Sequence, residues 1–372
     1  MNICLIGSSD SVHIKKWSAY FAARGHDVSV LSNSRTPIEG VRTVVLFEKR
    51  KFGNLAYLLS LPRVRKTLRA LNPDIVHFHY LGGVSLYGLV AKGPVILATP
   101  WGSDIYRLKN RLMKKVIARL FRKSAEILTT STPMAAFLQK NFAVDREKIS
   151  TYSWGIETRL FTPAAPDEKA RLREGLNIPE SAFLIFSNRT MAPMYKTDLI
   201  LRAFLESEGR LDHPFLVLLE GDADVGEGIR KYRDSIRTMS AGKDNIRILP
   251  GLIPTEVMAE YLRAADVAIS IPSSDQRSSS VLEALASGPS VILSGLPPYQ
   301  ELKKEGYQVS LIERLSEQSL VQAFLESHSL PSSAKQDIQK KNLVLIRESE
   351  DWLTQAAKIE TRYAFLLKRR SI

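Results

Sequence analysis

The chain alternates between short apolar, strand-like runs and helix-like segments, and this alternation constrains its fold more than any other feature. In the first half the strand-like runs are 2–6, 26–31, 41–47, 74–79, 95–99, 127–130 and 149–154. In the second half they are 183–188, 215–219, 246–249, 267–271, 291–294 and 309–312. Strands that alternate with helices form parallel sheets covered on both faces. The sequence therefore predicts an α/β protein with two doubly wound, Rossmann-like domains.

The alternation breaks between residues 157 and 180, where Pro163, Pro166 and Pro179 punctuate the chain. Proline-rich breaks of this kind are typical of domain boundaries. We expect a first domain over residues 1–160 and a second over 161–350, facing each other across a central cleft that would suit a ligand. The length of 372 residues accommodates two domains of ordinary size.

Three features of the composition exclude whole classes of protein. The single cysteine, Cys4, excludes a disulfide framework and a multi-cysteine metal site. No apolar run approaches the roughly 20 residues of a membrane span. The start of the sequence, MNICLIGSSD, lacks the basic segment of a signal peptide, so we expect a cytoplasmic location.

Positive charge is concentrated in the first half of the chain. Residues 1–150 contain 24 Lys and Arg against 9 Asp and Glu, whereas the remainder contains 28 against 30. Residues 107–123 carry eight basic and no acidic residues, with apolar residues at helical spacing. Further basic clusters lie at 49–52 and 63–69. The pattern favours an anionic membrane as partner over nucleic acid, because no nucleic-acid-binding signature accompanies it. Packing of the apolar stripe into the core remains an alternative.

Residues 273–288, SSDQRSSSVLEALASG, place a serine run between Asp275 and Glu283. The serines fall where a strand-like run gives way to a helix-like pattern that ends at Gly288. Open backbone N–H groups at such a helix start favour a phosphate, and two carboxylates suit ligand hydroxyls. A nucleotide sugar fits both features. The alternative is a capped helix in which Glu283 only complements the helix dipole.

Two cations follow the first strand of the predicted second domain. Arg189 and Lys196 flank a loop at the carboxyl end of that strand, where their charges suit a diphosphate. A D-x-D sequence occurs at residues 222–224 and could hold Mg²⁺, but short acidic loops are common after strands. We expect no metal and no cofactor.

Four polar or aromatic residues of the first half also occupy positions where open α/β sheets bind ligands. They are Ser9, His13, Trp101 and Asp104. Asp104 could instead cap the following helix, and His13 could line the surface. His77 and His79 alternate in one strand, but no third ligand for a metal lies near them in the sequence.

In these residues the chain resembles glycosyltransferases of the GT-B fold, most closely family 4. The resemblance rests on the turn at residues 24–28, on Trp154-Gly155-Ile156 before Phe161-Thr162-Pro163, on Arg189 with Lys196, and on Asp275 to Glu283, which matches the E-x7-E motif. Two residues depart from the family pattern. Aspartate stands at the first acidic position, and Trp101 stands where relatives often carry a histidine.

The resemblance implies specific roles for residues of the second domain. Glu283 would hold the nucleotide ribose, and Asp275 would contact the donor sugar. The backbone N–H groups of Ser279, Ser280 and Val281 would bind phosphates. Residues near Leu249 to Leu252 would flank the base, and Leu252 and Gly221 would line the donor site. A C-terminal helix near 350–372 would cross back to the first domain.

The predicted function is therefore that of a metal-independent, retaining glycosyltransferase. It would move a hexose from a nucleoside-diphosphate sugar such as a UDP-sugar to a glycan or lipid-linked acceptor, in cell-envelope polysaccharide or glycoconjugate synthesis. Its first domain would dock at the inner membrane face through residues 107–123. Two alternatives stay open: a nucleotide-sugar epimerase of the same fold, and a non-catalytic membrane- or nucleic-acid-binding protein.

Overall fold

A computed structural model describes residues 1–47, 55–222 and 225–370, and its fold consists of two compact units. The first unit contains Met1–Trp154 and Leu353–Ile372, and the second contains Gly155–Trp352. The division therefore falls slightly before the predicted boundary at residue 160. The basic cluster at 49–52 and Asp224, the second acid of the D-x-D sequence, lie outside the described residues.

The first unit is built on a seven-stranded parallel sheet in the order β3-β2-β1-β4-β5-β6-β7. Its strands are β1 Asn2–Ile6, β2 Asp27–Ser32, β3 Arg42–Val45, β4 Ile75–His79, β5 Val95–Thr99, β6 Glu126–Thr129 and β7 Ile149–Thr151. The helices between them are α1 Val12–Ala23, α2 Leu55–Leu59, α3 Leu61–Leu71, α4 Ser103–Tyr106, α5 Arg111–Lys123 and α6 Thr132–Phe142. A 3₁₀ helix spans Gly83–Leu89.

The second unit has a six-stranded parallel sheet in the order β10-β9-β8-β11-β12-β13. Its strands are β8 Phe183–Thr190, β9 Pro214–Leu219, β10 Ile246–Leu249, β11 Val267–Ser270, β12 Ser290–Ser294 and β13 Ser310–Ile312. Its helices are α7 Pro166–Gly175, α8 Thr197–Ser207, α9 Glu227–Ser240, α10 Thr255–Ala264, α11 Ser279–Ser287, α12 Pro297–Lys304, α13 Glu317–Ser329 and α14 Ser332–Ser349. The last helix, α15, runs over Trp352–Arg370.

In both sheets the first strand of the chain lies in the interior. The next strands are added on one side of it, and the later strands on the other side. The first strand of each sheet pairs with the second on one side and with the fourth on the other. The loops that leave the first and fourth strands diverge at this point and open a crevice at the carboxyl edge. The predicted α/β fold with two doubly wound units is confirmed, and each unit has one crevice of this kind.

Apolar strands that are covered on both faces hold each sheet in place. Ile3, Leu5 and Ile6 of β1 are fully buried, as are Leu184, Ile185 and Phe186 of β8. Parallel strands with helices on both sides are continuous in hydrophobicity because both of their faces lie in the core. This is why these runs are recognisable in the sequence.

The basic helix of the first unit is shorter than predicted. Residues 107–110 precede α5, whose first turn is capped by the Asn110 side chain, which accepts a hydrogen bond from the Met113 amide. Ile117, Leu120 and Phe121 of its apolar stripe are buried in the core, whereas Leu112 is exposed. The stripe is therefore mainly a core contact. Among the described residues, no helix combines the length and hydrophobicity needed to cross a membrane.

The C-terminal helix packs on the first unit through one carboxylate and several apolar residues. Glu360 accepts hydrogen bonds from Tyr20 Oη at 3.0 Å and from Arg24 Nε at 3.2 Å, and it lies 2.8 Å from His26 Nε2. Burial raises the pKa of Glu360, but these partners outweigh it and the net shift is downward. Tyr363 and Ile359 of the same helix are buried. This carboxylate therefore links α15 to the turn between α1 and β2.

We expect Glu360→Ala to destabilise the first unit by roughly 2 kcal/mol, because the substitution removes a half-buried carboxylate with three partners. Thermal unfolding followed by circular dichroism would show a lower transition temperature. Lys358→Ala, an exposed change on the same helix, is the matched control and should leave the transition unchanged. Equal transitions for both variants would contradict the role of Glu360.

Candidate functional site

The crevice of the second unit lies between the carboxyl ends of β8 and β11. These strands pair directly, with Ile185 opposite Val267 and Phe186 opposite Ala268. Arg189 is the penultimate residue of β8, and Asp275 and the serine turn follow β11. The structure thus brings together candidates that are about 90 positions apart in the sequence.

The Arg189 guanidinium is the centre of this site. Its Nη1 donates to Asp275 Oδ2 at 2.9 Å, to Ser278 Oγ at 2.9 Å and to Ser280 Oγ at 2.7 Å. The guanidinium also lies over the ring of Tyr195, 4.3 Å from its centroid. Burial lowers the pKa of Arg189, but the Asp275 charge overcomes this and raises it above the ordinary value. The side chain is only 11% exposed and is therefore a fixed positive charge at the edge of the sheet.

Asp275 points at this arginine. In addition to Arg189, its Oδ2 accepts a hydrogen bond from Tyr299 Oη at 2.7 Å, and its Oδ1 accepts from the Gln276 amide at 2.8 Å. Tyr299 is fully buried, and this burial and the Asp275 charge raise its pKa well above the ordinary value. Both carboxylate oxygens are therefore engaged within the protein.

The serine turn leaves two backbone donors open at the start of α11. Within the described residues, the Ser279 and Ser280 amides make no hydrogen bond, whereas the Val281 amide already donates to the Ser278 carbonyl at 3.1 Å. The Val281 amide is therefore already used in the first helical turn and is not open for the predicted phosphate contact. Asn188 Nδ2 donates to the Ser280 carbonyl at 2.7 Å and holds the turn against β8. An anion at this helix start would meet two N–H groups and the helix dipole.

Lys196 precedes α8 in a left-handed backbone conformation, with φ of 52°. A non-glycine residue in this region is strained, and such strain is concentrated at functional sites. In the part of the chain that the structure describes, its ammonium makes no ion pair or hydrogen bond. It is a cation without a counter-charge on the loop that follows β8.

The remaining donor-site candidates also lie on the second unit. Glu283 is half-buried in the first turns of α11. Gly221 follows β9 with φ of +83°, and a Cβ there would lie 2.5 Å from Thr190 Cγ2, so only glycine fits. Leu252 follows β10 and is 73% exposed. All three follow or begin elements at the carboxyl edge, where open sheets bind ligands.

The first unit has a pocket of about 370 Å³ in its own crevice, between the loops after β1 and β4. Its lining includes Ser8, Ser11, Asn33, His79, Tyr80 and Trp101, and none of the described lining residues is charged. His79 is buried, and neither of its ring nitrogens has a hydrogen-bond partner. Its burial, together with His77 and His13, lowers its pKa well below the ordinary value. The pocket therefore offers a neutral imidazole beside aromatic rings.

Asp104 is not a free contact in this pocket. Its buried carboxylate accepts hydrogen bonds from the amides of Leu81 at 2.6 Å, Gly102 at 2.8 Å and Trp101 at 3.0 Å. Burial raises its pKa to about 6, although these amides oppose the shift. Asp104 ties the loop after β4 to the loop after β5, which corrects its predicted role as a ligand contact.

The other candidates of the first unit are placed as follows. Trp101 lies against His13, with ring centroids 5.1 Å apart, and His13 stacks on Trp154 at 4.7 Å. Burial lowers the pKa of His13 to about 4. Ser9 is buried and bonded to Ser32 and Ser34, so it fixes the loop and does not line the pocket.

In the strand pair His77-x-His79, the nitrogens of His77 bind other side chains. His77 Nδ1 lies 2.5 Å from Tyr363 Oη, and Nε2 lies 2.6 Å from Thr99 Oγ1, so both nitrogens are engaged. Among the described residues, no cluster of potential metal ligands occurs.

Sequence reasoning missed Tyr299 and Tyr195, which surround Arg189, and assigned His79 only to a metal pair. Tyr299 lies 24 positions beyond Asp275, and no sequence signal connects the two. His79 could have been found, because it ends a buried strand at the carboxyl edge.

Residues 2–131 match the family model described as glycosyl transferase 4-like. The D-inositol 3-phosphate glycosyltransferase of Geodermatophilus obscurus is 26% identical over 194 residues, which are 50% of this chain and 42% of that protein. The match thus spans less than half of the relative's length. Over these residues the chain is similar to glycosyltransferases. This confirms the resemblance drawn from the motifs.

Solved structures with the GT-B fold cover nearly the whole chain. Sucrose-phosphate synthase from Thermosynechococcus elongatus aligns with a TM-score of 0.81 and 17% identity, covering 99% of both chains. Anabaena HepE in complex with UDP-glucose aligns with a TM-score of 0.80 and 14% identity, covering 97% of this chain and 99% of that one. At these identities the likeness establishes the fold, and the sites described above carry the functional argument.

The neutral state of His79 predicts acid sensitivity of the first unit. An unfolded histidine takes up a proton as the pH falls through about 6.5, whereas folded His79 does so only at much lower pH. The folded state therefore loses stability as the pH falls below 6.5, by about 2 kcal/mol at pH 5 for one such imidazole. His79→Phe should remove that loss.

The measurement is the unfolding temperature at pH 7 and pH 5 for the wild type, His79→Phe and the control His213→Gln, which changes an exposed histidine of the second unit. The difference between the two pH values should shrink only in His79→Phe. An unchanged difference would show that His79 is protonated in the folded protein.

Proposed function

We propose that this chain is a retaining glycosyltransferase that moves a hexose from a nucleoside-diphosphate sugar to a glycan or lipid-linked acceptor. The observation that carries the proposal is the arrangement around Arg189 at the crevice of the second unit. Among the described residues, a fixed guanidinium, two open amides at the start of α11 and the unpaired Lys196 lie near the carboxyl ends of one strand pair, and each of them favours negative charge. This combination fits a diphosphate.

In the proposed reaction, Arg189, Lys196 and the open amides would stabilise the leaving nucleoside diphosphate. Negative charge grows on the diphosphate as the bond to the sugar breaks. Donors that are already oriented stabilise this charge without reorganisation. Arg189, Lys196 and the Ser279 and Ser280 amides would supply them, and the proposed reaction requires no metal for this charge. The resemblance to family 4 supports retention of configuration.

The nucleoside would lie farther along the carboxyl edge. Glu283 in α11 would accept hydrogen bonds from the ribose hydroxyls, and Leu252 would flank the base. HepE has been solved with UDP and with UDP-glucose, which supports a uridine nucleotide as the first donor to test.

The pocket of the first unit would bind the acceptor. Trp101 and the 46% exposed Tyr80 provide faces on which a sugar ring can stack, and the lining residues Ser8, Ser11 and Asn33 provide hydrogen-bonding groups for hydroxyls. Asp104 holds the two loops that carry these aromatic residues. The site would suit a hydroxylated ring.

A basic face of the first unit supports an acceptor at a membrane. We define it as the exposed side chains of α2, α3, the segment 83–92 and α5, which are neighbours in the fold. It exposes five leucines, at positions 55, 58, 59, 89 and 112. Its exposed cations are Arg63, Arg65, Lys66, Arg69, Lys92, Arg111, Lys114, Lys115, Arg119, Arg122 and Lys123. No described residue of these segments is acidic.

Exposed leucines beside many cations match an anionic lipid surface, where each cation contributes about 1 kcal/mol. The proposed membrane contact is therefore larger than the predicted one through residues 107–123. Helix α5 contributes only its cations and Leu112 to it, because the apolar stripe of α5 is buried. We propose that this face rests on the anionic cytoplasmic leaflet and brings the enzyme to an envelope acceptor.

The membrane part of the proposal predicts binding to vesicles with anionic lipid and not to neutral ones, weakened by salt. The double change Leu58→Ser and Leu59→Ser should lower the bound fraction in vesicle sedimentation several-fold, because it removes apolar area from the interface. Val344→Ser, an exposed apolar residue of the second unit, is the control. Equal binding to neutral and anionic vesicles would refute the proposal.

The donor part predicts that Lys196→Ala lowers transfer from a UDP- or GDP-sugar at least tenfold, because one cation facing the diphosphate is lost. Lys196→Arg should retain part of the activity. Lys231→Ala removes an exposed lysine of α9 in the same unit and serves as control. Turnover is measured as release of nucleoside diphosphate, with thermal unfolding confirming the fold. Undiminished turnover of Lys196→Ala would exclude this site.

A further inference from the structure

The carboxylate of Asp275 is directed entirely into the protein. Its Oδ2 accepts from Arg189 Nη1 at 2.9 Å and from Tyr299 Oη at 2.7 Å, and its Oδ1 accepts from the Gln276 amide at 2.8 Å. The side chain is 14% exposed. Three of the roughly four acceptor sites of this carboxylate are therefore occupied, which leaves at most one, on Oδ1, for a ligand hydroxyl.

Arg189, which Asp275 binds, is held through a single nitrogen of its guanidinium. Among the described residues, the three hydrogen bonds of the Arg189 guanidinium all leave from Nη1. The Tyr195 ring lies over the guanidinium. This leaves Nε and Nη2 for an incoming anion, and these two donors form the planar fork that binds phosphate oxygens well.

Tyr299 fixes the carboxylate in turn. Its hydroxyl is buried and donates to the same oxygen that receives Arg189. Tyr299 belongs to α12, which is a different element from the loop that carries Asp275. The orientation of Arg189 thus depends on hydrogen bonds that run from Tyr299 in α12 to Asp275 in the loop after β11 and on to Arg189 in β8.

We propose that Asp275, held by Tyr299, is a positioning residue that orients Arg189 toward the donor diphosphate and does not contact the donor sugar. The inference rests on the proposed donor site and concerns one residue within it. It departs from the role that the family resemblance implies for the first acid of the motif. A consequence is that the hydroxyls of the donor sugar lack this carboxylate as a partner, so selection among sugars that differ at those hydroxyls must come from other residues.

Asp275 could position Arg189 or contact the donor sugar, and these two roles predict different effects on a ligand that has no sugar. A residue that positions Arg189 affects UDP and UDP-glucose equally, because both contain the diphosphate. A residue that contacts the sugar affects UDP-glucose and leaves UDP unchanged. Calorimetric titration of the full chain with UDP, UDP-glucose, GDP and GDP-glucose therefore separates the roles without an acceptor or turnover.

We expect Asp275→Ala to weaken the nucleoside diphosphate and its glucose ester by the same factor, about tenfold, because Arg189 loses its charged anchor. Asp275→Asn keeps an oxygen for Arg189 Nη1 and should restore most of the affinity for both ligands. Tyr299→Phe removes only the hydroxyl that holds Asp275 and should weaken both ligands equally, by a smaller factor. Since Asp275→Ala leaves a buried arginine without its counter-ion, the Asn and Phe variants test the proposal even if the Ala variant does not fold.

Three results have distinct meanings. Loss of affinity for the glucose ester alone in Asp275→Asn or Asp275→Ala would overturn the inference in favour of a sugar contact. Tighter binding of the free diphosphate in Asp275→Ala would also overturn it, since the carboxylate would then only repel the ligand. Absence of binding of any of the four ligands to the wild type would instead contradict the proposed donor site itself.

Discussion

The strand order of the two parallel sheets is the constraint on which the candidate sites depend. In each unit the first strand lies between the second and the fourth, so the loops that follow the first and fourth strands diverge at the same edge. In the second unit this places Arg189 beside Asp275 and the serine turn. In the first unit it opens the pocket that His79 and Trp101 line. Among the described residues, each unit thus has a crevice at the carboxyl edge of its sheet because the same topology occurs twice.

The two sites differ in the way that the proposed binding of a donor to one and of an acceptor to the other requires. Among the described residues, the crevice of the second unit carries a half-buried guanidinium, open amides and a lysine without an ion pair, all of which favour an anion. The described lining of the pocket in the first unit is uncharged, and its imidazole is kept neutral by burial. A diphosphate and a hydroxylated ring are the ligands that match these environments.

Three buried or half-buried carboxylates of this chain position other groups. Asp104 holds three amides and joins two loops, Glu360 links the last helix to the first unit, and Asp275 anchors Arg189. A carboxylate accepts several hydrogen bonds at once, so it can fix several donors that a neutral side chain would leave unpaired. The cost of burying its charge is offset because each has charged or multiple polar partners. Asp104 and Asp275, which the sequence predicts as ligand contacts, are thus hydrogen-bonded to groups of the protein.

The sequence by itself determined the two α/β units, the approximate strands, the positive charge of the first half and the candidates Arg189, Lys196 and Glu283. These follow from apolar runs and local residue types, which depend on neighbours in the chain. Only the tertiary structure decided that Asp275 faces Arg189, that Tyr299 holds it, that Asp104 binds backbone amides, and that the apolar stripe of α5 lies in the core. The reason is physical: a hydrogen-bond partner is chosen by distance and direction in space, and Tyr299, Asp275 and Arg189 meet only after three elements have packed together.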